Sequence, residues 1–184
     1  RNLFFNTPAR RKFLKSEMTE VSHIVSTVSH MAHELPEVAF ELKHNGKSLL
    51  SVPAHQSPQN RMESVLGRQF SGQLLPVSFQ TETLKIHGFI GKPGMEMGSR
   101  RHQYIFVNDR DVGDAMISRA VCDGYGTRLP GRMHPVFLLH VEVRPEDVDV
   151  NIHPRKLAVK FVDSQNVYRG VSLAVDRALN SAQT

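Results

Sequence analysis

At 184 residues, with 40% hydrophobic and 22% charged side chains, the chain can bury a core of its own and is too apolar for wholesale disorder. Its 23 Lys and Arg against 18 Asp and Glu give a net charge of +5, which favours anionic partners, nucleic acid or nucleotide phosphate among them, without demanding one. One cysteine, Cys122, excludes an intrachain disulfide and a cysteine-based zinc site and points to a reducing cytoplasm; no apolar run approaches the roughly 20 residues that span a bilayer, and no signal-peptide pattern is present.

Arg1 in place of Met, opening directly into Asn2-Leu3-Phe4-Phe5, reads as a piece cut from a longer polypeptide. Leu3 to Phe5 suggests the end of a buried strand, and Asn6-Thr7-Pro8 a helix start with Thr7 as N-cap and Pro8 at the first helical position. Leu14, Met18, Val21, Val25, Val28, Ala32 and Leu35 recur at spacings of four and three, an apolar stripe ending before Pro36. The stripe is long enough for two helices, with Ser16 placed to cap the second. Asn45-Gly46 predicts a tight hairpin between 38–42 and 48–52, since both central residues must accept positive φ. Met62, Val65, Leu66 and Phe70 suggest a short helix, and 74–79 and 84–90 two strands; Gln73-Leu74-Leu75-Pro76 faintly resembles sliding-clamp peptides, but its leucines are better read as core.

Residues 91–101 have no usable period and are expected to form a mobile loop, with Arg100, Arg101 and His102 at its end. Tyr104 to Val107 is predicted to be a buried strand, 108–111 a turn, and Asp114 the cap of a helix with Ile117, Val121 and Tyr125 inward. Cys122 falls on that helix's apolar side. A strand over 136–143 and a terminal helix capped by Ser164 complete an α+β pattern with a mixed, mostly antiparallel sheet and helices packed on it.

The stretch around which the chain is organised follows that last long strand. Val148, Val150 and Ile152 alternate with Asp149, Asn151 and His153; Pro154 stops the run, and Leu157, Val159 and Phe161 begin another. Arg155 and Lys156 fall on the stiffened connection, where functional side chains are often presented, so Lys156 reads either as an aimed cation or as one solvated lysine among many. Other chemistry is poorly supported. No Gly-rich phosphate loop or nucleophile elbow is present, and the strand-borne pairs His153 with Asp149 and His140 with Glu142 would converge poorly on one metal ion.

Phe5-Asn6-Thr7-Pro8-Ala9-Arg10-Arg11-Lys12-Phe13-Leu14 and Val148-Asp149-Val150-Asn151-Ile152-His153-Pro154-Arg155-Lys156 resemble two signature stretches of the MutL family of DNA mismatch repair proteins, and Phe106-Val107-Asn108-Asp109-Arg110 is similar to that family's Val-Asn-x-Arg strand end. Order and spacing agree over essentially the whole chain. The resemblance implies a GHKL-type ATPase's transducer domain with the fold of ribosomal protein S5 domain 2, spanning 16–184, with 1–15 as the junction from the ATPase domain. It implies that Asn6, Thr7, Pro8, Asn151, His153 and Pro154 shape the motifs and that Lys156 reaches the γ-phosphate of ATP as a nucleotide-binding and catalytic residue. ATP and Mg2+ would be bound mainly by the preceding domain, so the chain alone should neither hold ATP tightly nor hydrolyse it.

The resemblance further implies a homodimer in the bacterial cytoplasm, associated with the nucleoid, and partners that include DNA, a MutS-type recognition protein and a repair endonuclease or helicase. A basic groove would contact DNA phosphate without base readout, with Arg10, Arg11, Lys12, Lys15, Arg100, Arg101 and Arg110 as candidates. Asp111 and Asp114 make the stretch after Arg110 acidic where some relatives are more basic, which argues against a DNA contact there. The rival expectation is a stand-alone nucleic-acid-binding module with the same fold, for which distributed charge suffices.

Overall fold

The computed structural model describes residues 4–149 and 158–182. Five strands build the central sheet: β3 (Leu74–Gln80), β4 (Leu84–Gly91), β5 (Gln103–Val107), β6 (Arg110–Val112) and β7 (Phe137–Val143), in the order β3-β4-β7-β5-β6. Every pairing is antiparallel except β5 with β7, which run parallel because helix α4 (Ala115–Tyr125) crosses over between β6 and β7. The expected α+β class with a mostly antiparallel sheet is the observed one.

Strand alternation gives the sheet two faces with different chemistry. On one, Val77, Ile86, Ile90, Ile105, Val107, Phe137, Leu139 and Val141 meet α4 and the terminal helix α5 (Ser164–Ser181) in an apolar core. Glycine sets the distances there. A Cβ on Gly124 would lie 2.7 Å from the Ser172 carbonyl oxygen, so α4 and α5 approach backbone to backbone at that point. The opposite face carries Leu74, Tyr104, Phe106 and Leu138, covered by α2 (Glu17–Glu34), α3 (Pro58–Leu66) and the hairpin of β1 (Phe40–His44) and β2 (Lys47–Val52).

Local signals explain most boundaries. Asn45 and Gly46 both have positive φ, 49° and 77°, which matches the hairpin twist. Ser16 caps α2 by accepting from the Thr19 N–H at 3.3 Å, Ser57 caps α3 and Asp114 caps α4, the last through the Ile117 N–H at 2.8 Å. The terminal helix is capped by Asp163 rather than by Ser164, which is its first residue.

The start of the chain departs from expectation. Phe4 to Asn6 form a turn, with Phe4 at φ 62° and Phe5 76% exposed, so neither phenylalanine lies in the expected buried strand; Leu3 lies outside the described residues. Pro8 opens a single turn of helix, α1 (Pro8–Arg11), whose N-cap position Thr7 makes no side-chain cap bond. The break before Ser16 takes Leu14 and Met18 out of the apolar stripe, and Met18 is 85% exposed. The loop expected to be mobile is tied down instead: Met95 is buried and Met97 pairs with His134 in a bridge whose two N–H···O bonds are each 2.8 Å. A three-residue β6 occupies the second half of the predicted 108–111 turn.

Candidate functional site

The organising stretch is rooted in a two-stranded ribbon, β8 (Val148–Asp149) with β9 (Lys160–Phe161), where Val148 faces Phe161 and Asp149 faces Lys160. Val159 and Phe161 are buried in the apolar core and Val148 packs against it, so the chain on both sides of 150–157 is anchored to the sheet platform. Asn151, His153, Pro154 and Lys156 lie outside the described residues. β7 is coupled to the ribbon by a tight turn in which the Arg144 guanidinium donates to Asp147 at 2.7 Å, and the Val162 N–H donates to the Asp147 carbonyl at 2.8 Å.

The Asn108 position has a physical reason that its sequence did not disclose. Asn108 and Asp109 are both left-handed, φ 46° and 63°, closing the two-residue turn from β5 to β6. The Asn108 side-chain oxygen accepts from the Val143 N–H at 3.0 Å, satisfying the last residue of β7 just before the turn to the ribbon. Only Asn combines tolerance of positive φ with a carbonyl on a short side chain as readily.

The seven basic candidates do not form one cluster among the described contacts. Arg10, Lys12 and Lys15 are exposed around α1, whereas Arg110 is half-buried on β6. Arg11 falls within α1, and its side chain lies outside the described set. Arg100 and Arg101 do share a site. Both line a groove of about 290 Å³ between α2 and the start of α4, with Ser26 and His30 on one wall and Ser118 on the other. Arg101 leans toward α2, its Nη1 lying 3.5 Å from the Ser22 hydroxyl; the nearby α4 carries Cys122. That thiol is half-buried rather than core, and burial pushes its pKa up, which keeps it protonated and unreactive.

The acidic stretch beside Arg110 has partners within the fold. Asp111 contacts His30 at 2.8 Å, both lining the groove, and the buried Asp114 carboxylate is occupied in capping α4. The other Asp111 oxygen, Oδ1, is buried without a hydrogen-bond partner among the described residues.

Three features of this half of the molecule escaped the sequence reading. Arg61 is 2% exposed, and its guanidinium donates to the carbonyls of Leu35, Val38 and Pro53 at 2.8 Å, of Pro36 at 3.2 Å, and of Ala32. A cation thus closes the C-terminal end of α2, where unpaired carbonyls and the helix dipole favour positive charge. Its place four residues before Val65, on the apolar face of α3, was the available signal. His33 packs against the Tyr104 ring with centroids 4.4 Å apart, and burial, reinforced by His30, Arg61 and His140, lowers its pKa to about 3. Burial also raises the Tyr104 hydroxyl to about 12. Further along the face, His140 stacks between His87, at 4.8 Å, and Phe106, at 4.9 Å, while Glu142 pairs with Lys85 and His87 at 2.8 and 2.9 Å. His140 and Glu142 therefore have structural partners, and among the described residues no group of three or more His, Cys, Asp or Glu could hold a metal ion.

Residues 62–180 match the sequence family described as DNA mismatch repair protein, C-terminal domain. The chain belongs to the MutL family of DNA mismatch repair proteins. It is 42% identical over 183 residues to the DNA mismatch repair protein MutL of Janthinobacterium sp. (strain Marseille), covering 100% of this chain and 29% of the relative. It is 41% identical over 177 residues to that of Neisseria gonorrhoeae (strain ATCC 700825 / FA 1090), covering 96% and 27%. The chain thus spans under a third of these relatives, so the MutL name speaks for a region and not for a whole protein. Among solved structures, the Aquifex aeolicus MutL ATPase domain complexed with ADP superposes with a TM-score of 0.59 at 26% identity, covering 79% of this chain and 51% of that one. The N-terminal domain of a DNA repair protein gives a TM-score of 0.79 at 20% identity, over 98% and 60%, which speaks for the fold alone. No helix among the described residues is long and apolar enough to cross a membrane.

Proposed function

We propose that this chain is the transducer part of a MutL-type GHKL ATPase, in which residues 16–184 convert the presence of a γ-phosphate into a change of state, while residues 1–15 form the junction with the nucleotide-binding part. The observation that carries the reading is the rooting of the Lys156 stretch: β8 and β9 pair on either side of it, and Val159 and Phe161 anchor it in the core of the central sheet. A cation delivered from a rigid platform acts at little ordering cost, and an ammonium is a compact point charge suited to telling ATP from ADP by a charge that only one of them carries. Lys156 would touch the terminal phosphate. ATP and Mg2+ would be held mainly by the region that precedes this one in MutL relatives, one of which has been solved with ADP. Among the described residues there is no metal cluster to hold Mg2+ here.

In this reading the nucleotide state passes through β8, β9 and the Asn108-tied end of β7 to dimer closure, to DNA contacts made by the basic side chains, and to repair partners. These include a MutS-type recognition protein and an endonuclease or helicase. The groove holding Arg100 and Arg101 favours a second reading, a nucleic-acid-binding module that needs no nucleotide.

Steady-state ATP hydrolysis separates the two. The upstream region of a MutL relative is joined to this chain, and wild type is compared with Lys156→Ala. Removing a charge contact to the transferring phosphate should cost about 2–3 kcal/mol, roughly a factor of 30 to 150 in rate. An unchanged rate would make Lys156 an ordinary surface lysine and favour the second reading.

A further inference from the structure

The groove between α2 and α4 is a built feature rather than an incidental gap between surface arginines. Its two arginines, adjacent in sequence, both line one space of about 290 Å³, and the Arg101 guanidinium lies 3.5 Å from the Ser22 hydroxyl of α2. The Ser26 and Ser118 hydroxyls line the same space from the two helices. Asp111, the one acid among the lining residues, is held by a hydrogen bond to His30 at 2.8 Å, so two guanidinium groups face one carboxylate in the groove. The nearby Asp114 is buried and committed to its cap.

From this arrangement we infer that the groove seats a single phosphate group, gripped by the Arg100 and Arg101 guanidinium groups and completed by the Ser26 and Ser118 hydroxyls. Guanidinium forks match the oxygen spacing of a phosphate, and hydroxyls adapt as donors to the remaining oxygens. Asp111 is the acid that opposes an anion in this groove, and its partner His30 is braced edge-on against Tyr104 at 4.8 Å. Phosphate could come from a nucleic-acid backbone or from a small phosphate compound, and only the first source rests on the DNA contact proposed above.

The test is made on the 184-residue chain with two probes, a short random-sequence DNA duplex and inorganic phosphate. The wild type is compared with Arg100→Ala/Arg101→Ala, Arg100→Lys/Arg101→Lys and Asp111→Asn. Because both arginines are exposed, their variants should unfold at the same temperature as the wild type.

With DNA, the double alanine variant should bind roughly tenfold more weakly, and its slope of log affinity against log salt should fall by about 0.9 for one lost phosphate contact. The double lysine variant keeps the charge but loses the forks and should bind nearly as weakly as the alanine variant. Asp111→Asn should bind more tightly, an opposite sign. With inorganic phosphate, backbone amide signals of Ser26, Gly113 and Ser118 should shift and saturate in the wild type and stay still in the alanine variant. Saturation by phosphate with no DNA binding upholds the seat, assigns it to small phosphate compounds and removes the DNA contact from the proposed function. A lysine variant as good as the wild type, or an alanine variant that binds DNA with unchanged slope, overturns the seat while leaving DNA binding intact. No saturable shift with either probe also overturns it.

Discussion

The two faces of the sheet are packed by different means. The α4–α5 face is held by apolar area and close backbone approach, with Gly124 letting one helix rest on the other and Gly170 admitting Leu84 below α5. The α2–α3 face has an apolar cluster too, with Met62, Leu74, Phe106 and Leu138 in it, but adds polar groups taken out of water: Arg61 among five carbonyls, and His33 and Tyr104 ring on ring. Apolar packing tolerates small shifts with graded loss, whereas a buried donor deprived of its partners loses a full desolvation term. The first face is therefore a platform and carries the root of the Lys156 stretch. The second is a set of groups whose positions depend on one another, and it forms one wall of the arginine groove.

The sharpest way to break this contrast is Arg61→Ala. Five carbonyls would lose a charged donor at once, and urea unfolding should report a loss of about 3–5 kcal/mol, confined by hydrogen exchange to α2 and the β1–β2 hairpin. A loss below about 1 kcal/mol would mean that solvent replaces the guanidinium without penalty, and the polar account of this face would fail.

Acid should come next. His33 is neutral when folded, with its pKa near 3, while in the unfolded chain it takes up a proton near 6.5. The sign is that of a depressed group: its contribution is fully present above pH ~6.5 and is withdrawn as pH falls toward 3, by up to about 1.4 kcal/mol per unit. Burial is the largest cause, the charges of His30, Arg61 and His140 lower it further, and the Tyr104 phenol packs against its ring. Stability measured from pH 7 to 4 should slope downward in the wild type and lose most of that slope in His33→Phe.

On the apolar face, Gly124→Ala should cost about 1–3 kcal/mol by overpacking against Ser172 and Val175, without changing the pH slope. If instead it steepened the slope, the two faces would not be energetically separate. The smallest expected effect is that of the α2 cap: Ser16→Ala should remove about 1 kcal/mol by leaving the Thr19 N–H without its hydroxyl partner.

The same contrast decides what could be read from the sequence. The apolar face follows periodicity, so Val77, Ile86, Val107, Val141, Val167 and Val171 were legible as strand or helix interiors. Asn45-Gly46 and Asp114 were legible because a turn and a cap each demand particular residue types. What escaped was what no short window encodes. Arg61 gathers carbonyls from two stretches of chain, 32–38 and Pro53, and Asp111 finds His30 81 positions away. Ser16 ends one helical stripe and begins another, which is why Leu14 and Met18 seemed to continue a pattern that the backbone breaks. Of the site, Arg100 and Arg101 were named for their charge, but the groove that unites them exists only once α2 and α4 stand on either side.

The central claim is that the ribbon of β8 and β9 delivers Lys156 to a terminal phosphate, and hydrogen exchange tests it most directly. In the chain joined to a relative's upstream region, exchange across Val148 to Phe161 would be compared with a non-hydrolysable ATP analogue and with ADP, in wild type and in Lys156→Ala. The account predicts added protection with the ATP analogue only, and its disappearance in the alanine variant. Equal protection with ADP, or protection that survives Lys156→Ala, would contradict it.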